Sequence, residues 1–306
     1  MLEPLLERFR QGDRLALARL LTLTARGEQV EAILAALPRE EAGPTRVVAV
    51  TGGGGVGKST MIGKLIELLR SQQRTVAVLA CDPESALTGG ALLADRVRMP
   101  SRPEDPGVFI RSTTAPRGHE GIAEHLDPMI QLLRAFRFDV VLLETAGVGQ
   151  GDTAVWDVAD VVVLLLQPET CDEFQWEKAG LLELADVVVV HKADLPGAER
   201  TEAQVRSLLN LPGCREVPVL RASSGQGWGL EDLWKVVEAL PARRSRAEFD
   251  RGALLRLAQQ RLASRFHHQA DVVEPVLARW RRRELDDRQA ADELLKALAS
   301  QEETAR

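Results

Sequence analysis

The sequence predicts an α/β fold, a doubly wound and mostly parallel sheet with a helical segment at each end of the chain. Seven short apolar runs rich in β-branched residues lie between about residues 45 and 240, and helical stretches separate most of them. Near-continuous apolar strands are typical of a parallel sheet that helices cover on both faces. Alternation with helices indicates right-handed crossovers between parallel strands. A glycine-rich loop directly follows the first of these strands.

The elements follow in order along the chain. Residues 1–43 are predicted as an N-terminal segment of two helices, because apolar residues recur at helical spacing before a proline. Residues 44–240 are predicted as a P-loop domain, and residues 241–306 as an Arg-rich helical arm whose interleaved acidic residues indicate a solvated surface. The predicted N-terminal helices are "LLERFRQGDRLALARLLTLTA" and "GEQVEAILAALP", and the predicted strands are "RVVAVT", "TVAVLAC", "VFIRS", "VVLLET", "VVVLLL", "VVVVHK" and "VPVLRAS".

Composition excludes several classes of protein. A net charge of −6 over 306 residues gives no reason to expect nucleic acid or an anionic membrane as the main partner. Cys81, Cys171 and Cys214 are odd in number and have no metal-binding spacing, which fits a reducing compartment. No signal peptide is visible, and the longest apolar runs are about half of what crosses a bilayer. We therefore expect a cytoplasmic protein.

The stretch "VVAVTGGGGVGKST" predicts a phosphate-binding loop. It matches the pattern GxxxxGK[ST] between a strand and a helix, where backbone N–H groups converge on phosphates and only glycine permits the approach. Lys58 is expected to reach the β- and γ-phosphates, and Ser59 to supply a hydroxyl to Mg²⁺. The residues predicted to line this loop are Gly52, Gly54, Gly55, Val56, Gly57, Lys58, Ser59 and Thr60.

Acidic residues that follow other strands predict the rest of a magnesium site. Glu144 ends an apolar strand in "VVLLETAGVGQGDT", and Gly147 follows as a candidate sensor of the γ-phosphate. Asp82 follows a further strand, and Asp95 lies thirteen residues later. Oxygen ligands suit Mg²⁺, so these acids are expected around Ser59. Asp82 as a turn cap before Pro83 and Asp95 as a surface charge are the other interpretations.

The run "VVVVHKADLPG" predicts a guanine pocket with one unusual residue. Asp194 can accept two hydrogen bonds from guanine that adenine does not offer, and the stem of Lys192 suits the base plane. Asn is usual where His191 stands, and we expect the imidazole to support the pocket less well, at a cost of about 1 kcal/mol in affinity but none in selectivity. After a later strand, a backbone N–H of Ser223 or Ser224 is a candidate contact for the base carbonyl.

Together these residues resemble the MeaB/ArgK-like P-loop GTPases. The resemblance rests on "VTGGGGVGKST", "DPESALTGGALLADRVRM", "FDVVLLETAGVGQGDTAVWDVAD", "DEFQWEKAGLLELAD" and "HKAD" in this order, and it covers essentially the whole chain. It implies a SIMIBI-like G domain that binds GTP or GDP with Mg²⁺ and hydrolyses GTP slowly alone. Asp82, Asp95 and Glu144 match the family's acids around the metal.

The resemblance also implies partners. Members of the family are chaperones of adenosylcobalamin-dependent acyl-CoA mutases such as methylmalonyl-CoA mutase, and their C-terminal helical arm makes a homodimer. Asp172, Gln175 and Lys178 match the segment that acts as an additional switch toward the mutase. Loop differences such as His191 favour a divergent member that serves a related mutase.

Two other functions compete with this interpretation. A nickel-insertion GTPase would carry His-rich tracts or Cys/His clusters near its switches, and the sequence has none. A small-molecule kinase would need a base and an acceptor pocket, for which the sequence offers no candidate constellation.

Overall fold

The computed structural model describes residues 2–38, 45–83, 105–115, 121–145, 158–168, 179–211, 215–243 and most of 251–299. The chain divides into two compact units, Met1–Arg243 and Arg244–Arg306, and the first of them includes the N-terminal helices. The finer division at residues 43/44 and 240/241 stays a prediction. Within the described ranges, no helix is both long enough and apolar enough to cross a membrane.

The first unit contains a seven-stranded sheet in which every strand pair is parallel. Its strands are β1 (Arg46–Gly52), β2 (Val76–Pro83), β3 (Val108–Ala115), β4 (Val140–Glu144), β5 (Val161–Leu166), β6 (Val187–His191) and β7 (Val219–Ala222), in the order β3-β2-β4-β1-β5-β6-β7. The predicted fold class is confirmed. The chain leaves β1 toward one edge and later returns to the other side of it, and such a switch point opens a crevice at the carboxyl ends of the strands.

Eight helices are described in the first unit. They are α1 (Leu2–Arg10), α2 (Arg14–Ala25), α3 (Val30–Ala35), α4 (Lys58–Ser71), α5 (Gly121–Ala135), α6 (Ala179–Leu184), α7 (Ala198–Leu209) and α8 (Leu230–Ala239). The prediction of two N-terminal helices is wrong, because the first of them is interrupted at Gly12 and Asp13. Gly12 has a φ of 82°, and the Asp13 carboxylate accepts from the N–H groups of Leu15 and Ala16 at the start of α2.

Both faces of the sheet are buried, which explains its uninterrupted apolar strands. In β6, Val187 and Val189 pack into the core on the face that α4 and α8 cover, and Val188 and Val190 pack into a second core cluster with residues of α6 and α7. Since side chains alternate along a strand, His191 follows on the same face as Val187 and Val189. The strand therefore directs the imidazole toward the start of α4.

In the second unit, α9 (Ala270–Arg281) and α10 (Asp287–Ala299) pack against each other. Arg279 pairs with Glu293 across the two helices, and the indole N–H of Trp280 donates to Asp287 at 2.9 Å. The predicted role of this arm in dimerisation stays a prediction.

Candidate functional site

The loop between β1 and α4 lies at the switch point of the sheet. Gly57 ends the loop with a φ of 99°, which L side chains rarely adopt, and a Cβ there would lie 2.6 Å from His191 Cε1 and 2.7 Å from Nδ1. Glycine is therefore required at this position by the backbone and by the packed imidazole together. As the N-cap of α4, Gly57 has no side chain that could accept from the N–H groups of the first turn.

Lys58 is the first residue of α4, and its side chain curves back over the loop. Its Nζ donates to the carbonyls of Gly52 at 2.9 Å and Gly53 at 3.1 Å, and the residue is buried. The ammonium group and the positive end of the helix dipole thus point to the same small volume. Such a volume favours a phosphate group.

Ser59 and Glu144 meet where β1 and β4 end side by side. The Ser59 hydroxyl donates to Glu144 Oε1 at 2.6 Å, and both residues are buried. Val50 of β1 is the register partner of Glu144, so the strand pairing itself delivers the carboxylate to the loop. A hydroxyl and a carboxylate are hard oxygen ligands, and this pair therefore fits Mg²⁺.

The other predicted members of the magnesium site are only partly within the described residues. Asp82 lies near the end of β2, two residues beyond Ala80, whose register partner is Glu144. Its backbone therefore reaches the same edge of the sheet. Asp95 and Gly147 lie outside the described residues, as do the predicted switch residues Asp172, Gln175 and Lys178. Among the described residues, no three His, Cys, Asp or Glu side chains form a group that could hold a metal ion.

His191 joins the phosphate loop to the segment after β7. Its Nδ1 lies 2.7 Å from the carbonyl oxygen of Val56, and because a carbonyl only accepts, Nδ1 carries the proton. Nε2 then accepts from the hydroxyl of Ser224 at 2.8 Å. The buried ring therefore donates to one partner and accepts from another. The expectation that the imidazole supports the pocket less well than Asn stays a prediction.

Burial also keeps this imidazole neutral. Burial lowers the pKa of His191 below the ordinary value of 6.5, and the positive charge of Lys192 lowers it further. The hydrogen bond to Val56 and the negative charge of Asp194 act in the opposite direction. The neutral ring is the form that can donate to a carbonyl and accept from a hydroxyl at once.

Lys192 holds the carbonyl next to the one that His191 holds. Its Nζ donates to Gly55 O at 2.9 Å and to Gln167 Oε1, also at 2.9 Å. The residue has a φ of 54°, which turns the chain sharply after β6. Sequence reasoning missed Gln167; the available signal was a polar residue directly after the apolar strand β5.

Asp194 is oriented by Ser223, whose hydroxyl donates to Oδ1 at 2.5 Å. This hydrogen bond is the main cause that lowers the pKa of Asp194, so the group is a carboxylate at neutral pH. The N–H of Ser223 donates to Trp228 O, which occupies one predicted donor for a base. The contact of the Ser224 N–H with a base stays a prediction. That N–H lies 3.4 Å from His191 Nε2.

Many nucleotide-binding families share such a loop, and comparison of the whole sequence with known proteins shows which of them this chain belongs to. The family model described as methylmalonyl Co-A mutase-associated GTPase MeaB matches residues 17–276. The chain belongs to the MeaB family. The resemblance predicted from the motifs is thereby confirmed. A putative GTPase of Pyrococcus abyssi is 39% identical over 244 residues, which are 78% of this chain and 75% of that protein.

Two further comparisons place this MeaB-family chain among other proteins. A fused isobutyryl-CoA mutase of Cupriavidus metallidurans is 37% identical over 192 residues, 61% of this chain and 18% of that protein. A MeaB-like segment is therefore a part of a protein named as a mutase. The crystal structure of a LAO/AO transport system kinase matches 96% of both chains with a TM-score of 0.64 and 23% identity, which supports the fold alone.

Proposed function

We propose that this MeaB-family protein binds GTP and GDP with Mg²⁺ and hydrolyses GTP slowly alone and faster with its partner. It is a chaperone that gates cofactor loading and protection of an adenosylcobalamin-dependent acyl-CoA mutase, methylmalonyl-CoA mutase or a relative. The observation that carries the proposal is the direct connection of the phosphate loop to the guanine motif through His191 and Lys192. Asp194 lies two residues beyond Lys192, so the contacts to the loop and the proposed contact to guanine come from one short segment.

The base is recognised by Asp194 in this proposal. Its carboxylate, held by Ser223, accepts two hydrogen bonds from the ring N–H and the exocyclic amine of guanine, and adenine has no matching pair of donors. The aliphatic stem of Lys192 lies along the base plane. Selectivity for guanine therefore depends on one carboxylate and on the serine that orients it.

The phosphates are bound by the loop, by Lys58 and by the N-terminus of α4. Ser59 and Glu144 would hold Mg²⁺ in this proposal, with Asp82 and Asp95 as further ligands. When bound, the metal neutralises charge on the β- and γ-phosphates. Lys58 stabilises the same charge, and Lys58, Ser59 and Glu144 are all buried. Without an evident arginine finger in the sequence, intrinsic turnover is expected to be slow.

A mutase partner is supported by the family description and by the fused isobutyryl-CoA mutase. The chain acts as a switch whose loops respond to the γ-phosphate and to Mg²⁺. Asp172, Gln175 and Lys178 form the segment that signals to the mutase, and the C-terminal arm makes a homodimer.

Phosphate release from GTP and from ATP tests the proposal. The purified chain is assayed alone, with a native acyl-CoA mutase, and with the same mutase after heat denaturation. We expect slow hydrolysis of GTP, little of ATP, and stimulation by the native mutase alone. Equal turnover of ATP would contradict the guanine site. Transfer of phosphate to an added small acceptor would favour the kinase interpretation instead.

A further inference from the structure

Two successive carbonyls of the phosphate loop are held by two successive residues of the guanine motif. Gly55 O accepts from Lys192 Nζ, and Val56 O accepts from His191 Nδ1. These carbonyls directly precede Gly57 and the first turn of α4. The position of the loop therefore depends on how firmly His191 and Lys192 are themselves held.

Each of these side chains has a second contact outside the loop. Gln167, directly after β5, accepts from Lys192 Nζ at 2.9 Å, and Ser224, just beyond β7, donates to His191 Nε2 at 2.8 Å. The sheet order β5-β6-β7 places both residues beside the end of β6. The two contacts thus reach the guanine motif from neighbouring strands on opposite sides.

We propose that the side chains of Gln167 and Ser224 are positioning groups for nucleotide affinity, which act through Lys192 and His191 to fix the phosphate loop and take no part in the choice of base. The inference deepens the proposed guanine-nucleotide site and rests on it. In this role, neither the Ser224 hydroxyl nor the Gln167 amide has to contact the nucleotide. Choice of base is the task of Asp194, which a different residue, Ser223, orients.

The physical reason is the conformational freedom of the two supported side chains. A lysine side chain samples many rotamers, and one acceptor on the loop restricts it less than two acceptors in different directions. For His191, the Ser224 hydroxyl fixes the ring plane and satisfies its acceptor nitrogen. If either support is removed, the loop visits more conformations, and only a fraction of them binds phosphate. Loss of one such hydrogen bond is expected to weaken binding about three- to tenfold.

Dissociation constants for GDP and XDP test the inference in the chain of 306 residues. Gln167→Ala and Ser224→Ala are expected to weaken GDP binding about three- to tenfold each, with the ratio of GDP to XDP affinity unchanged. Gln167→Glu keeps an acceptor oxygen toward Lys192 and is expected to retain affinity. Lys235→Ala removes an exposed pair with Asp232 on α8 and serves as the control.

Double variants distinguish positioning from independent binding. If Gln167 acts through Lys192, then Gln167→Ala has little effect in a Lys192→Met background, and Ser224→Ala has little effect beside His191→Ala. Additive losses would overturn the inference. Because Gln167 is only partly buried, its variant is not expected to compromise folding.

Failure of the inference can be told apart from failure of the proposed function. If the unmodified protein does not bind GDP, the proposed function is wrong. If it binds GDP and the Gln167 and Ser224 variants bind equally well, the inference alone is overturned. A change in the GDP to XDP ratio in either variant would likewise overturn it, because the side chain removed in that variant would then take part in base recognition.

Discussion

Replacement of Gly57 by alanine is expected to lower the free energy of unfolding more than the same change at Gly55. Both glycines have a positive φ, 99° at Gly57 and 74° at Gly55. An added Cβ at Gly55 meets nothing within 4 Å, whereas at Gly57 it meets the His191 ring at 2.6 Å and 2.7 Å. The pair of variants therefore separates backbone strain from steric overlap.

The magnitude follows from these two terms. Alanine in the left-handed region costs about 1–2 kcal/mol at either position. Overlap with a buried, hydrogen-bonded ring adds about 1–3 kcal/mol, typical of overpacking. We expect Gly55→Ala to lower the free energy of unfolding by about 1–2 kcal/mol and Gly57→Ala by about 2–5 kcal/mol.

Urea unfolding without nucleotide measures this difference, and His191→Ala supplies the decisive background. Removing the ring relieves the overlap but leaves the strain, so Gly57→Ala should cost about 1–3 kcal/mol less beside His191→Ala than alone. Gly55→Ala should cost the same in both backgrounds. Equal losses for the two glycine variants, or no coupling between Gly57 and His191, would show that the ring does not exclude a Cβ at Gly57.

The remaining predictions concern turnover, base choice and pH. Lys58→Ala is expected to abolish GTP turnover, measured by phosphate release. The control Lys64→Ala, on the exposed side of α4, should leave turnover unchanged. Normal turnover without Lys58 would disprove the assigned phosphate site. Asp194→Asn is expected to shift preference from guanine toward xanthine nucleotides, since the amide can donate to the extra xanthine oxygen, and competition binding with GDP and XDP measures the shift. The folded state holds His191 with a lowered pKa, so the unfolded chain takes up its proton first and stability is lost as the pH falls below 6.5. His191→Asn should remove this part of the pH dependence of unfolding, because asparagine does not titrate in this range; an unchanged pH profile would contradict the assignment of the neutral ring.

Much of the fold could be predicted from local sequence, for a simple reason. A parallel strand that is buried on both faces must be apolar at every position, and runs such as Val187–Val190 therefore stand out. The loop pattern ending in Lys58 and Ser59 is equally visible, because phosphate binding demands glycines and fixed spacing. Gly12 and Asp13 were a local signal for the break between α1 and α2. The signal was overlooked because apolar residues continue at helical spacing on both sides of it.

The contacts that complete the candidate site could not be predicted in this way. Val56 and His191 lie 135 positions apart, and their hydrogen bond exists because β1 and β6 end at the same edge of the sheet. Gln167 carries no motif and becomes relevant only because β5 lies beside β6. The second partner of His191 was hidden for the same reason, since Ser224 comes from the segment just beyond a separate strand, β7.

By itself, then, the sequence determined the strands, the phosphate loop and the resemblance to the MeaB family, because those properties depend on residue type and spacing along one segment. Which side chains form hydrogen bonds with one another in the site depends on the tertiary structure. Parallel pairing brings the carboxyl ends of β4, β1, β5, β6 and β7 together. Only that arrangement allows the hydrogen bonds between Ser59 and Glu144 and between His191 and both Val56 and Ser224. Such contacts are set by strand order and register, which no single segment encodes.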